Sequence, residues 1–185
     1  ACSTASGTPY CASGACGATN CAAGTGNCDG DPSNGCEAQL DTSTNCGGCG
    51  VGCSLANATA SCATGACKLV SCTAGYKDCD ALLITGCEIN SNTDIMNCGA
   101  CSNVCPARPN ATAGCSNGTC GIGQCNGGFA NCNGLVPDGC EINTLNDVAN
   151  CGGCGIACPT PQNGVAVCVN GTCGLGACTG TFANC

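Results

Sequence analysis

Apolar residues come in short bursts along this chain, separated by polar and glycine-rich stretches. The longest aliphatic run is Ala81-Leu82-Leu83-Ile84, and the best strand pattern is Val165-Ala166-Val167-Cys168-Val169. No run approaches the roughly 18–20 apolar residues needed to span a bilayer. Glycine every few residues opposes any helix of useful length. The remaining signal is for hairpins. Cys62-Ala-Thr-Gly65-Ala-Cys67, Cys115-Ser-Asn117-Gly118-Thr-Cys120 and Cys168-Val-Asn170-Gly171-Thr-Cys173 each centre on a turn sequence. Asn-Gly readily supplies the two positive φ angles of a type I′ turn. Short strands and tight turns, with little or no helix, are therefore predicted.

The pattern repeats. Asn45-Cys46-Gly47-Gly48-Cys49 returns as Asn97-Cys98-Gly99-Ala100-Cys101 and as Asn150-Cys151-Gly152-Gly153-Cys154, at offsets of 52 and 53 residues. Gly35-Cys36-Glu37 returns as Gly86-Cys87-Glu88 and Gly139-Cys140-Glu141. Every Cys fits the spacing C-x8/9-C-x4-C-x4-C-x6-C-x7-C-x9/10-C-x2-C-x3. The predicted units are residues 1–51, 52–103, 104–156 and a truncated fourth, 157–185. A fixed period of this kind is the signature of a repeat architecture. The expected fold is a linear, bead-like array of small disulfide-rich modules. A further motif, Cys72-Thr-Ala-Gly75-Tyr76-Lys-Asp-Cys79, puts an aromatic in each of three units: Tyr76, Phe129 and Phe182. Unit one has Thr25 there. These aromatics are expected to plug a small core.

Composition explains why cysteine must do the folding. Of 185 residues, 29 are Cys and 31 Gly, while Phe and Met together number three. Leu, Ile and Val are too few to fill conventional cores, so cross-links must substitute. So many cysteines point to an oxidising compartment, extracellular or at the cell surface. Net charge is −8 with only Lys68, Lys77 and Arg108 as cations, so no basic patch offers itself to nucleic acid or an anionic membrane. There is no His, which removes imidazole catalysis and Cys/His zinc fingers.

Three constellations could carry chemistry. The pairs Cys46/Cys49, Cys98/Cys101 and Cys151/Cys154 are CxxC motifs. A redox role needs a βαβ context and a depressed thiol pKa. Zinc needs four ligands, and each unit offers a single pair. Structural disulfides are expected instead, and no metal. The loop Asp29-Gly-Asp31-Pro-Ser-Asn34-Gly-Cys-Glu37 carries oxygen ligands suited to calcium. In unit two its counterpart is Asp78, Asp80 and Glu88; in unit three it thins to Asn131, Asn133, Asp138 and Glu141. An Asx-rich turn, with Glu bonding nearby backbone N–H groups, is the expectation; calcium is the alternative. Sequons stand at Asn57, Asn110, Asn117 and Asn170, where covalent glycans are expected. No nucleophile sits near a suitable base, so no enzymatic activity is expected.

The eight-Cys pattern resembles Cys-rich tandem repeats of secreted and surface proteins of myxobacteria and related bacteria. That resemblance implies a surface or extracellular role. Locally, C-x4-C around Asn-Gly followed by C-x2-G-[YF]-x2-C also resembles EGF-type modules. Eight cysteines allow 105 pairings. By analogy with the crossed EGF pattern, the first Cys of a unit joins the third and the second the fourth: Cys53–Cys67 and Cys62–Cys72, Cys158–Cys173 and Cys168–Cys178. The remainder then pair as Cys79–Cys101 and Cys87–Cys98. In this scheme Cys185 is left unpaired or bonds outside the segment. The expected function is an extracellular structural protein, a glycosylated fibre, stalk or sheath that self-associates. The alternative is a secreted adhesin or calcium- or glycan-binding module.

Overall fold

The computed structural model describes residues 6–181. In chain order, β1 (Thr8–Ala12) and β2 (Ala15–Thr19) form a hairpin, and β3 (Thr25–Gly26) and β4 (Ala38–Gln39) a two-residue ladder. A second hairpin follows, β5 (Ala58–Ala63) with β6 (Ala66–Cys72), then the short strand β7 (Tyr76–Lys77). Strand β8 (Ile89–Asn90) spans the division between two compact halves, residues 1–89 and 90–185. The second half holds the hairpin β9 (Ala111–Ser116) with β10 (Thr119–Cys125) and the ladder β11 (Phe129–Ala130) with β12 (Ile142–Asn143). Its last hairpin is β13 (Gly164–Val169) with β14 (Thr172–Cys178). All pairings in these hairpins and ladders are antiparallel, and no helix occurs among the described residues.

The hairpins form where the turn chemistry predicts them. Both central residues of each turn have positive φ: Thr64 and Gly65 at 57° and 73°, Asn117 and Gly118 at 49° and 72°, Asn170 and Gly171 at 50° and 73°. Ser13 and Gly14 do the same at 52° and 83°. These are type I′ geometries, whose twist matches that of the flanking strands. They place two cysteines directly opposite each other beside every tip: Cys11 and Cys16, Cys62 and Cys67, Cys115 and Cys120, Cys168 and Cys173.

The core is cystine rather than hydrocarbon. The buried apolar positions are Cys36, Cys46, Cys53, Cys87, Cys98, Cys105, Cys140, Cys151 and Cys168. Ile84, by contrast, is 90% exposed, and Leu82 and Leu83 beside it are exposed too. Tyr76 and Phe129 are only half-buried, so the expected aromatic plug is corrected to a plug of sulfur. Phe182 lies outside the described residues. Disulfides suit such small modules because they restrict the unfolded chain where burial alone cannot compensate its entropy.

Candidate functional site: a staple between repeats

The Asn-Cys-Gly-[Gly/Ala]-Cys loop is shaped by its asparagine. Asn45 Oδ1 accepts the Gly50 N–H at 2.8 Å, Asn97 Oδ1 that of Ser102 at 2.8 Å, and Asn150 Oδ1 that of Gly155 at 2.8 Å. This holds the loop as a closed turn whose first Cys is buried. The N–H of the following glycine is also anchored. Gly47 donates to Leu40, Gly99 to Ser91 and Gly152 to Thr144, each at 2.8 Å.

So presented, the first Cys of each CxxC reaches the next hairpin. The bonds are Cys46–Cys62, Cys98–Cys115 and Cys151–Cys168, with Cα separations of 5.6, 5.7 and 5.6 Å. They cross the expected unit boundaries at 51/52, 103/104 and 156/157. The hairpin sulfur also rests on the carbonyl of the loop's anchor: Cys115 on Ser91 at 3.5 Å, Cys168 on Thr144 at 3.6 Å. The tip N–H adds a backbone bond, Gly171 to Leu145 at 3.1 Å and Gly118 to Asn92 at 3.3 Å.

The second Cys of the motif bonds backwards, as Cys28–Cys49 and Cys132–Cys154. Cys79 and Cys101, at the same positions in the second repeat, are each disulfide-bonded. The other links are Cys21–Cys36, Cys72–Cys87 and Cys125–Cys140, and Cys53–Cys67, Cys105–Cys120 and Cys158–Cys173.

Three expected pairs are therefore corrected. Cys62 does not join Cys72, because the hairpin register forbids it. Cys72 lies opposite Ala58, and Cys62 is four residues further toward the tip. At ~3.3 Å per residue the two are about 13 Å apart, whereas a disulfide needs Cα atoms within about 7 Å. The same register separates Cys168 from Cys178, which faces Gly164. Cys87 does not join Cys98. Its N–H donates to Ala56 O at 2.9 Å and its carbonyl accepts from Asn57 Nδ2 at 3.1 Å, which holds it at the hairpin base beside Cys72. Cys185 lies outside the described residues.

Sulfurs crowd where two bonds meet. Those of Cys98, Cys105 and Cys120 lie within 4.8 Å of one another, as do those of Cys151, Cys158 and Cys173. All six belong to disulfides, so none is a thiolate able to ligate a metal.

The acidic loop is a pair of overlapping Asx turns. Asn27, Asp78 and Asn131 accept the N–H three residues on, from Gly30, Ala81 and Gly134. Asp29, Asp80 and Asn133 accept the N–H two residues on, from Asp31, Leu82 and Leu135. Aspartate and asparagine do the same work here, which is why the carboxylates vary between units. Glu37, Glu88 and Glu141 each turn Oε1 onto a cysteine N–H, those of Cys28, Cys79 and Cys132, at 2.8, 2.9 and 3.0 Å. Side-chain oxygens of Asp78, Asp80 and Glu88 lie within 4.8 Å of one another. The Ser33 hydroxyl and N–H hold the exposed Asp31 carboxyl below its ordinary pKa.

The sequons fall into two settings. Asn117 and Asn170 stand exposed at hairpin tips. Asn57 and Asn110 precede β5 and β9 with φ of 47° and 49°, and their amides donate to Cys87 O and Cys140 O at 3.1 Å.

The staple itself was not legible in the chain. Its one available signal was that the Asn-Cys opening each CxxC motif is followed by glycine, as Gly47, Gly99 and Gly152. All three have positive φ and lie against the next hairpin tip. Comparison with protein-family models, with curated proteins and with solved structures finds no match to this chain.

Proposed function

We propose that this chain is an extracellular structural element without catalytic activity. It is an array of disulfide-cross-linked repeats that builds a fibre, stalk or sheath and carries glycans. The observation that supports this reading is the staple. Each Asn-Cys-Gly loop is bonded to the hairpin of the following repeat, so covalent links run between repeats as well as within them. A load on the backbone is then shared by disulfides, and a nicked loop leaves both fragments attached. Few long apolar segments become exposed when such a module opens, which suits material that must survive outside the cell.

The test is to image the native material by electron microscopy with and without a thiol reductant. Filaments or sheets that weaken on reduction are expected. A dispersed, sugar-free monomer in native extracts would overturn the reading.

A further inference from the structure

Two disulfides tie the second Asn-Cys-Gly loop to hairpin β9–β10: the staple Cys98–Cys115 and, beside it, Cys105–Cys120. Their sulfurs are close enough to exchange. Those of Cys98, Cys105 and Cys120 lie within 4.8 Å of one another, although Cys98 belongs to one bond and the other two to its neighbour. The hairpin register adds the fourth cysteine by setting Cys115 directly opposite Cys120. Facing residues of an antiparallel pair have Cα atoms about 4.5–5.5 Å apart, inside the span of a disulfide. In hairpin β1–β2 the facing sulfurs of Cys11 and Cys16 are 4.0 Å apart. Access differs across the cluster. Cys98 and Cys105, on the loop, are 0% and 5% exposed, while Cys115 and Cys120, on the hairpin, are half-buried. The same grouping recurs at the next junction in Cys151, Cys158 and Cys173, with Cys168 opposite Cys173.

We infer that this cluster is a disulfide-exchange site through which a small external thiol releases the hairpin from the loop. The thiolate attacks the Cys115 sulfur, the reachable end of the staple, forming a mixed disulfide and expelling Cys98 as a thiolate. Cys98 then attacks the Cys105 sulfur, forming Cys98–Cys105 and expelling Cys120. Cys120 attacks Cys115 across the hairpin, forming Cys115–Cys120 and returning the external thiolate. Two disulfides break and two form, so nothing is oxidised or reduced overall and the thiol acts as a catalyst. Cys98 and Cys105 suit each other as partners because the backbone already closes the loop between them. The Cys98 N–H donates to Asn103 O at 2.9 Å and the Cys105 N–H to Ile95 O at 2.7 Å. After exchange each bond lies within one element. Loop and hairpin then keep only non-covalent links, such as the Gly118 N–H to Asn92 O. The staple is in this sense a releasable link. The inference concerns the chemistry of the staple and holds whether or not molecules assemble into fibres.

The test incubates the intact, oxidised protein with substoichiometric reduced glutathione at mildly alkaline pH. Samples are quenched in acid at intervals and mapped by peptic digestion and tandem mass spectrometry. Cys98–Cys115 and Cys105–Cys120 should disappear together, replaced in equal amounts by Cys98–Cys105 and Cys115–Cys120. Total thiol should stay constant, and Cys125–Cys140 should be retained. The double variant Cys105→Ser with Cys120→Ser lacks the internal acceptor, so it should carry glutathione on Cys115 and form no new bond within the protein. The inference is overturned if the staple is lost no faster than Cys125–Cys140, or if it is lost only to free thiols. It is equally overturned if the product is Cys98–Cys120 with Cys105–Cys115, which would leave the hairpin tied to the loop.

Discussion

The Cα of Gly99 lies 3.3 Å from the point where a side chain on Gly118 would begin, and a Cβ on Gly99 would stand 2.5 Å from the Gly118 carbonyl oxygen. No side chain fits between them. Gly99 also has a φ of 77°, which other L-residues adopt only at a cost of about 1–2 kcal/mol. Gly99→Val should therefore prevent the loop from seating. The expected result is free thiol at Cys98 and Cys115 after oxidative refolding, read by alkylation and mass spectrometry, while Cys105–Cys120 still forms. Complete closure of Cys98–Cys115 in the variant would show that the contact is dispensable.

Glu141 accepts from two backbone N–H groups, those of Cys132 and Asn133, at 3.0 and 3.1 Å. Glu141→Ala leaves both without a partner, at a cost of about 1–3 kcal/mol for each that stays buried. Glu141→Gln keeps an acceptor oxygen and should cost less than half as much. Denaturant titration of the oxidised variants measures the difference. Equal losses for both would mean that charge, rather than the hydrogen bonds, matters at this position.

Asp31 gains its interaction with Ser33 only in the folded loop, which depresses its folded pKa below the unfolded value. Its contribution is thus present above the unfolded pKa and is lost as pH falls through the folded pKa. Because the carboxyl is exposed, the effect is confined to the turn. Carbon-detected NMR titration should find Asp31 ionising below the ordinary aspartate range, and Ser33→Ala should move it back upward. An unchanged titration in the variant would exclude the Ser33 hydroxyl as the main cause and leave the backbone N–H.

Glycopeptide mapping of native material separates the sequons. All four asparagines are exposed, but Asn117 and Asn170 stand at hairpin tips, whereas the amides of Asn57 and Asn110 are engaged in hydrogen bonds to Cys87 O and Cys140 O. Sugar is expected on the tip residues and absent from the other two. The reverse distribution would contradict the hydrogen-bonding role of Asn57 and Asn110.

The parts of the fold legible in the sequence were the local ones. Asn117-Gly118 and Asn170-Gly171 specify their turns through backbone preference alone. The bond Cys53–Cys67 follows an analogy that holds because Cys67 stands beside the tip. The Asx turns at Asp78 and Asn131 need only neighbours within a few residues. What stayed hidden depends on where one loop lands on another element. Whether Cys98 joins Cys87 or Cys115 is decided by the seating of Gly99 on Gly118, which no spacing rule encodes. Tyr76 and Phe129 misled for a related reason: aromatics normally mark a core, but here disulfide sulfur occupies it.

Covalent linkage between consecutive repeats is the central claim, and a disulfide map of the unreduced protein tests it most directly. Digestion at acidic pH, to suppress thiol exchange, followed by tandem mass spectrometry should recover Cys46–Cys62, Cys98–Cys115 and Cys151–Cys168 as linked peptides. Recovery of Cys87–Cys98 and Cys62–Cys72 instead, with each repeat closed upon itself, would contradict the account.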